Sequence, residues 1–184
     1  MTYRGCMPVD RREAVLESAL ETFARHGYRR TSMEAVATAA RISRPGLYFL
    51  FDSKAVLFRE AAAHVLARDL AAIEEILGDA HAPLADRLLK AFDQWAGRYV
   101  GPLAQDVPGV LAENPGLLDD TATNAPAAFE RLVTDAVSPH VATPGAAVRT
   151  LLSVSVGLKH QAADRSEYRE RFREALEVVL PSTE

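Results

Sequence analysis

The apolar positions of this chain recur almost everywhere at helical spacing. Leu16, Leu20, Phe23 and Ala24 fall at i, i+4, i+7 and i+8, one face of a helix that Gly27 ends. A second helix is predicted from Thr31, because Thr31 and Glu34 have the spacing of a capping box. Its apolar side is Met33, Val36, Ala37 and Ala40. Ser43 caps a third, short helix with Pro45 in its first turn, where a missing N–H does no harm. Ser53 caps a fourth that runs to about Leu77, with Leu66, Leu70, Ile73 and Leu77 as its stripe and Gly78 at its end.

Pro83 opens a further helix bearing Leu84, Leu88, Phe92, Trp95 and Tyr99. The stretch Gly101–Pro126 holds Pro102, Pro108, Gly109, Pro115, Gly116 and Pro126, and is expected to form only short turns joined by breaks. Phe129, Leu132, Val133, Ala136 and Val137 restore the period, and Pro139 stops it. Two helices follow, roughly Pro144–His160 and Ser166–Leu180, the second built on Tyr168, Phe172, Ala175, Leu176 and Val179. Ser153, Val154, Ser155 and Val156 alternate as a strand would. A lone four-residue strand would leave its backbone groups unpaired, so this segment reads as helix.

Composition adds little to an all-helical picture, but charge changes it. The chain of 184 residues is 48% hydrophobic and 25% charged, as ordinary globular proteins are. Its net charge of −4 is unevenly spread. Residues 1–60 carry 10 Lys/Arg against 7 acids, net +3, and the rest carry 11 against 18, net −7. A basic N-terminal unit on an acidic body suits a partner that is a polyanion. The one cysteine, Cys6, permits no intrachain disulfide or cysteine-built metal site. There is no apolar run of about 18 residues and no secretory stretch in Met1–Asp10, so a soluble, cytoplasmic protein is expected. No serine elbow, phosphate loop or metal-ligand spacing stands out, so neither an enzyme nor a bound cofactor or metal is expected.

Met33–Phe51 reads as two helices meeting at a steep angle. Ala37 lets their backbones approach, and Val36, Ala40, Ile42, Leu47 and Leu50 meet across the corner. The turn falls at Arg41, Ile42 and Ser43. The second helix, about two turns long, is unstable alone and makes sense as an element held by its neighbours and offered outward. Such a helix fits the DNA major groove. Arg44 can pair bidentately with guanine, while Pro45 and Gly46 leave room for base edges. Tyr48 can donate to a phosphate. Thr31 and Ser32 at one helix start, and Lys54 at another, suit an anion. Those contacts would position the unit, and Arg44 would specify sequence.

The segment Ala19–Ala61 resembles the DNA-binding head of the tetracycline-repressor (TetR) family of bacterial regulators. The matching pieces are Ala19-Leu20-x-x-Phe23-x-x-x-Gly27-Tyr28, then Thr31-Ser32-x-x-x-Val36-Ala37, then Ser43-x-x-x-Leu47-Tyr48-x-x-Phe51-x-Ser53-Lys54-x-x-Leu57. They cover about a quarter of the chain, and their order and spacing make the likeness specific. Two positions depart from the family. Arg41 stands where glycine is usual in the turn, and Leu50 where histidine is frequent. Arg41 can itself reach a phosphate.

The resemblance implies an all-α protein. A three-helix helix-turn-helix head, residues 1–52, would precede a larger helical body, residues 53–184, that binds an inducer and forms a homodimer. Leu151, Leu152, Ser155, Phe172 and Leu176 on the last two helices are the expected dimer residues, joining two copies in a four-helix bundle. The same faces could instead pack within one chain. Phe92, Trp95, Tyr99 and Phe129 are the aromatic candidates for a pocket, and His64, His140 and His160 could each put a polar group into it. The expected ligand is an apolar to mildly amphipathic small molecule. The charge-alternating run Arg165–Arg173 is expected to be a solvated face. The function implied is a regulator, most often a repressor, that an inducer releases from its double-stranded DNA operator. The alternatives are a helix-turn-helix that binds protein and a regulator without a ligand.

Overall fold

The computed structural model describes residues 8–100, 116–117 and 120–180. Among them are α1 (Pro8–His26), α2 (Met33–Ala39), α3 (Arg44–Leu50), α4 (Lys54–Gly78), α5 (Leu84–Trp95), a 3-10 turn (Gly97–Tyr99), α6 (Asp120–Val137), α7 (Pro144–Gln161) and α8 (Arg165–Val179). No strand occurs among the described residues, and α7 runs through the alternating Ser153–Val156. Cys6, Pro102, Pro108, Gly109 and Pro115 lie outside the described residues.

Local chemistry sets most helix ends. Gly27 turns left-handed (φ 81°) and its N–H donates to the Phe23 carbonyl, closing α1. Ser43 Oγ accepts from the Gly46 N–H at 3.1 Å, and Ser53 Oγ from the Val56 N–H at 3.2 Å. At α2 the expected cap is displaced by one residue. Ser32 accepts from the Ala35 N–H at 3.1 Å, while Thr31 is buried and donates its hydroxyl to the Gly27 carbonyl at 2.8 Å. Thr31 is needed inside because it supplies a donor to the chain turning beneath it.

The broken stretch ends earlier than its prolines suggest. α6 begins at Asp120 and carries Pro126 inside it. The missing N–H removes one rung, but Ala122, Ala125 and Phe129 are buried along the same helix. Tertiary packing therefore outweighs a local breaker.

Two apolar cores share α4. The first joins Leu16, Leu20 and Phe23 of α1 to Val36, Leu47, Phe51 and the α4 residues Leu57, Phe58, Ala61 and Val65. The second begins at Ile73 and Leu77 and includes Phe92, Phe129, Val133, Leu151, Phe172 and Leu176. The first three turns of α4 thus complete the head's core. Leu66 and Leu70 are only half-buried, and the deepest line of α4 runs through Val65, Asp69, Ile73 and Leu77.

Asp69 stands where the two cores meet, fully buried. It accepts from Gln94 Nε2 (2.7 Å), the Tyr99 hydroxyl (2.7 Å) and Arg98 Nη1 (3.1 Å). Arg68, beside it, also pairs with Glu17 of α1, so charge ties head to body. A second buried carboxylate, Asp93, is gripped by Arg165 through Nε (2.9 Å) and Nη2 (2.8 Å) and by Arg169. The run Arg165–Arg173 is thus no uniform solvated face. Tyr168 and Phe172 within it are buried, and two of its arginines clamp α8 onto α5.

Arg41 adopts a left-handed conformation (φ 55°), the strain expected of a side chain where glycine is usual. Arg41→Gly should therefore stabilise the protein by about 1 kcal/mol, after allowing for glycine's larger unfolded-state entropy. Urea midpoints at unchanged slope would read this. A lower midpoint would mean that the arginine side chain stabilises the turn by more than its backbone strains it.

Candidate nucleic-acid interface

α2 and α3 meet as the small residues require. Val36, Ala37 and Leu47 are buried, with Ala40, Ile42 and Leu50 half-buried around them. The turn is held by the Ile42 N–H on the Ala37 carbonyl (3.0 Å) and the Ala40 N–H on Val36 (2.9 Å). The far end of α3 is fastened by a residue that nothing in the local pattern singles out. Arg12 of α1 donates to the Leu50 carbonyl (3.0 Å), lies 4.4 Å over the Phe51 ring and pairs with Glu60. Cap, buried leucine and arginine strut together hold this seven-residue helix in place.

Its outer side is open. Arg41, Ser43, Arg44, Pro45 and Tyr48 are exposed, as is the α2 cap Ser32. The Arg44 guanidinium is loosely parked, with Nε 3.7 Å from Glu34 and its centre 5.7 Å from the Tyr48 ring. An exposed pair of that length is worth about 0–1 kcal/mol, so a better acceptor can take the fork. Gly46 has a local reason for being glycine, since a Cβ there would stand 3.0 Å from Ser43 Oγ and crowd the cap. Phe49, which the apolar pattern does not distinguish from Leu47 or Phe51, is 90% exposed.

Two expected DNA contacts turn inward. Thr31 is buried, as described above. Lys54 Nζ donates to the carbonyls of Tyr28 (3.1 Å), Thr31 (3.1 Å) and Arg29 (3.4 Å), and lies 4.5 Å over the Tyr28 ring. Burial pulls its pKa below the usual lysine value. The loop leaving α1 presents carbonyls with no helical partner, and Lys54 is the donor that meets them. It clamps the α1–α2 loop to the start of α4.

The aromatic pocket candidates are mostly filled core. Phe92 and Phe129 are fully buried. Their rings meet edge to face at 5.0 Å, with Trp95 stacked on Phe129 at 4.6 Å and Phe172 at 4.5 Å from Phe92. Tyr99 differs. Its hydroxyl is engaged by Asp69, and burial together with that carboxylate raises its pKa. Its ring borders a cleft of about 100 Å³ between α1, α4 and the 3-10 turn, with Leu20, Ala24, Val65, Arg68 and Arg98. His64 is half-buried on α4, whereas His140 and His160 are exposed.

The expected dimer residues also point inward. Leu151, Phe172 and Leu176 are buried within the chain, Leu152 is half-buried, and Ser155 shares a 2.8 Å hydrogen bond with the buried Tyr168 hydroxyl. They join α7 and α8 to α5 and α6. The large apolar side chains that these two helices expose are Val156 (60%) and Val178 (86%), and a Cβ on Gly157 would meet nothing within 4 Å. Among the described residues no helix is long and apolar enough to cross a membrane, and no cluster could hold a metal ion.

Comparison with known proteins agrees with this arrangement. Residues 15–61 match the family of bacterial regulatory proteins, tetR family. A 49-residue stretch is 37% identical to the probable acrEF/envCD operon repressor of Escherichia coli K12, covering 27% of this chain and 22% of that protein. The chain matches its curated relatives over only 22–28% of their own length. TetR transcriptional regulator SCO0520 from Streptomyces coelicolor superposes with a TM-score of 0.69 at 16% identity, over 94% of this chain and 99% of that one. A Saccharomonospora viridis protein solved in complex with choline gives 0.72 at 16% identity, over 92% and 96%. At such identities the structural likeness speaks for the fold alone. Residues 15–61 of this chain thus match the tetR family of bacterial regulatory proteins, and the chain as a whole shares the all-helical fold of solved structures described as TetR-family regulators.

Proposed function

We propose that this chain is a transcription regulator that binds double-stranded operator DNA as a homodimer through α3. Repression relieved by a small molecule is the mode we favour. The observation that carries this reading is the state of α3. A two-turn helix is fastened at both ends by Ser43 and Arg12, while its outer side offers a loosely held arginine and a tyrosine to solvent. A helix with only a structural task would bury that side. Arg41 and Ser32 add a cation and a hydroxyl next to it.

Two copies must place their α3 helices about 34–36 Å apart to reach successive major grooves. The exposed face of α7 and α8 around Val156, Gly157 and Val178 is the surface we assign to that pairing, in place of the buried residues. A ligand that prefers the conformation with misplaced heads lowers DNA affinity by its own differential affinity. The repressor name of one relative and the choline held by one structural neighbour support the sign and the class, respectively.

The test is the salt dependence of binding to the duplex upstream of the chain's own gene. About six phosphate contacts predict roughly a thousandfold loss between ~50 and ~200 mM salt. Affinity indifferent to salt, or no DNA binding at all, would favour a helix-turn-helix that docks on protein.

A further inference from the structure

Six of the seven phenylalanines of this chain, Phe23, Phe51, Phe58, Phe92, Phe129 and Phe172, are no more than 3% exposed. Phe49 is 90% exposed. We infer that Phe49 reads sequence, its ring taking the C5 methyl of a thymine in the major groove. This rests on the reading above, in which α3 enters that groove.

The side chain cannot be in transit to a core site. Leu47, two residues before it, and Phe51, two after it, are buried at 0% and 1%. The cap at Ser43 and the Arg12 bond to the Leu50 carbonyl hold α3 at both ends. Turning the helix to bury Phe49 would unseat Leu47. The fold therefore keeps an aromatic ring in water, next to the groups that would meet DNA.

Its ring has no hydrogen-bonding group and DNA presents no cation, so the feature it suits best in the groove is apolar. Pro45 lies four residues earlier and is exposed too, so Pro45 and Phe49 form one ridge of α3. Arg44 and Tyr48, also four apart, form the neighbouring ridge. One ridge is apolar and the other carries a guanidinium. The major groove offers one matching pair of features. Guanine presents acceptors for the arginine fork, and thymine presents a methyl, the apolar group on its base edges. The positive charge concentrated in residues 1–60 makes a polyanion the fitting occupant of this surface.

The experiment starts from a random duplex pool selected for binding by the full-length protein. Each thymine of the selected duplex is then replaced singly by deoxyuridine, which removes the methyl and leaves the hydrogen-bonding edge unchanged. Affinities are measured for the natural chain and for Phe49→Ala, a change at a solvent-facing position that leaves the packed core intact. We expect one thymine per half-site at which deoxyuridine weakens the natural chain about fourfold, the worth of one buried methyl. The same replacement should leave Phe49→Ala unchanged. Two results overturn the inference: deoxyuridine without effect at every position, or an equal loss in both proteins. A uniform loss in Phe49→Ala without any deoxyuridine-sensitive position would assign the ring to the sugars instead. A pool from which the natural chain enriches nothing overturns the underlying reading as well.

Discussion

Arg44→Ala is expected to lose about 1–3 kcal/mol of affinity per half-site for the preferred duplex and little for random DNA. In a twofold dimer the loss is counted twice, which makes this the largest functional effect expected of a single substitution here. The guanidinium is held only by a 3.7 Å surface pair with Glu34 and a 5.7 Å approach to Tyr48, so freeing it for a base edge requires little. Its removal should cost the proposed base contact and leave the fold intact, since the side chain is 60% exposed. Competition binding against random duplex measures the ratio. Equal losses on both DNAs would place Arg44 on the backbone. Lys54→Met supplies the contrast. It should weaken every sequence alike and also lower thermal stability, because Lys54 secures the Tyr28–Thr31 loop. A lysine on a phosphate would change affinity without changing stability.

Removing both Arg165 and Arg169 is expected to destabilise the fold by about 3 kcal/mol, since Asp93, 3% exposed, would be left as an uncompensated buried charge. The partial exposure of the arginines places the effect at the low end of what breaking a buried pair costs. The effect should depend on pH with a definite sign. Burial pushes the Asp93 carboxyl up, but the hydrogen bonds and charges of the two arginines outweigh it and hold the group below its ordinary 3.8. A depressed carboxylate contributes stability at neutral pH and loses it as pH falls through its lowered pKa. The double variant, with burial acting alone, keeps a raised pKa, so its deficit should shrink as the medium is acidified. Urea unfolding from pH 7 down to about pH 3 measures that closing gap. A deficit independent of pH would mean that the arginines act by packing. Asp93→Asn added to the double variant should recover part of the loss.

The site could be read from the sequence as far as neighbouring residues determine it. The Ser43 and Ser53 caps and the strained Arg41 follow from residues within four positions of one another, and the α2–α3 corner from residues within about fifteen. Thr31 and Lys54 both stand at a helix start, a place that suits a phosphate contact. Each instead meets carbonyls of the α1–α2 turn, and for Lys54 these lie 23 to 26 residues away. Arg12 was invisible for the same reason, its partners in α3 and α4 lying 38 and 48 residues on.

Phe49 shows a different gap. Leu47, Phe49, Leu50 and Phe51 are all apolar, so hydrophobic periodicity cannot say which of them faces water; the wedge between α1 and α4 decides it. On α7 and α8 both faces carry apolar or small residues, so the pattern alone does not say that Leu151, Ser155, Phe172 and Leu176 pack within the chain while Val156 and Val178 face outward. The helical period, most of the caps and the turn chemistry are local, and the sequence alone determined them, together with the all-helical class and the family likeness of residues 15–61. Which face of a helix is spent inside the chain, and which buried carboxylate finds which arginine 72 to 76 residues away, are settled by packing. Only the tertiary structure decides these, because a side chain's partner across the core is fixed by where whole helices come to rest.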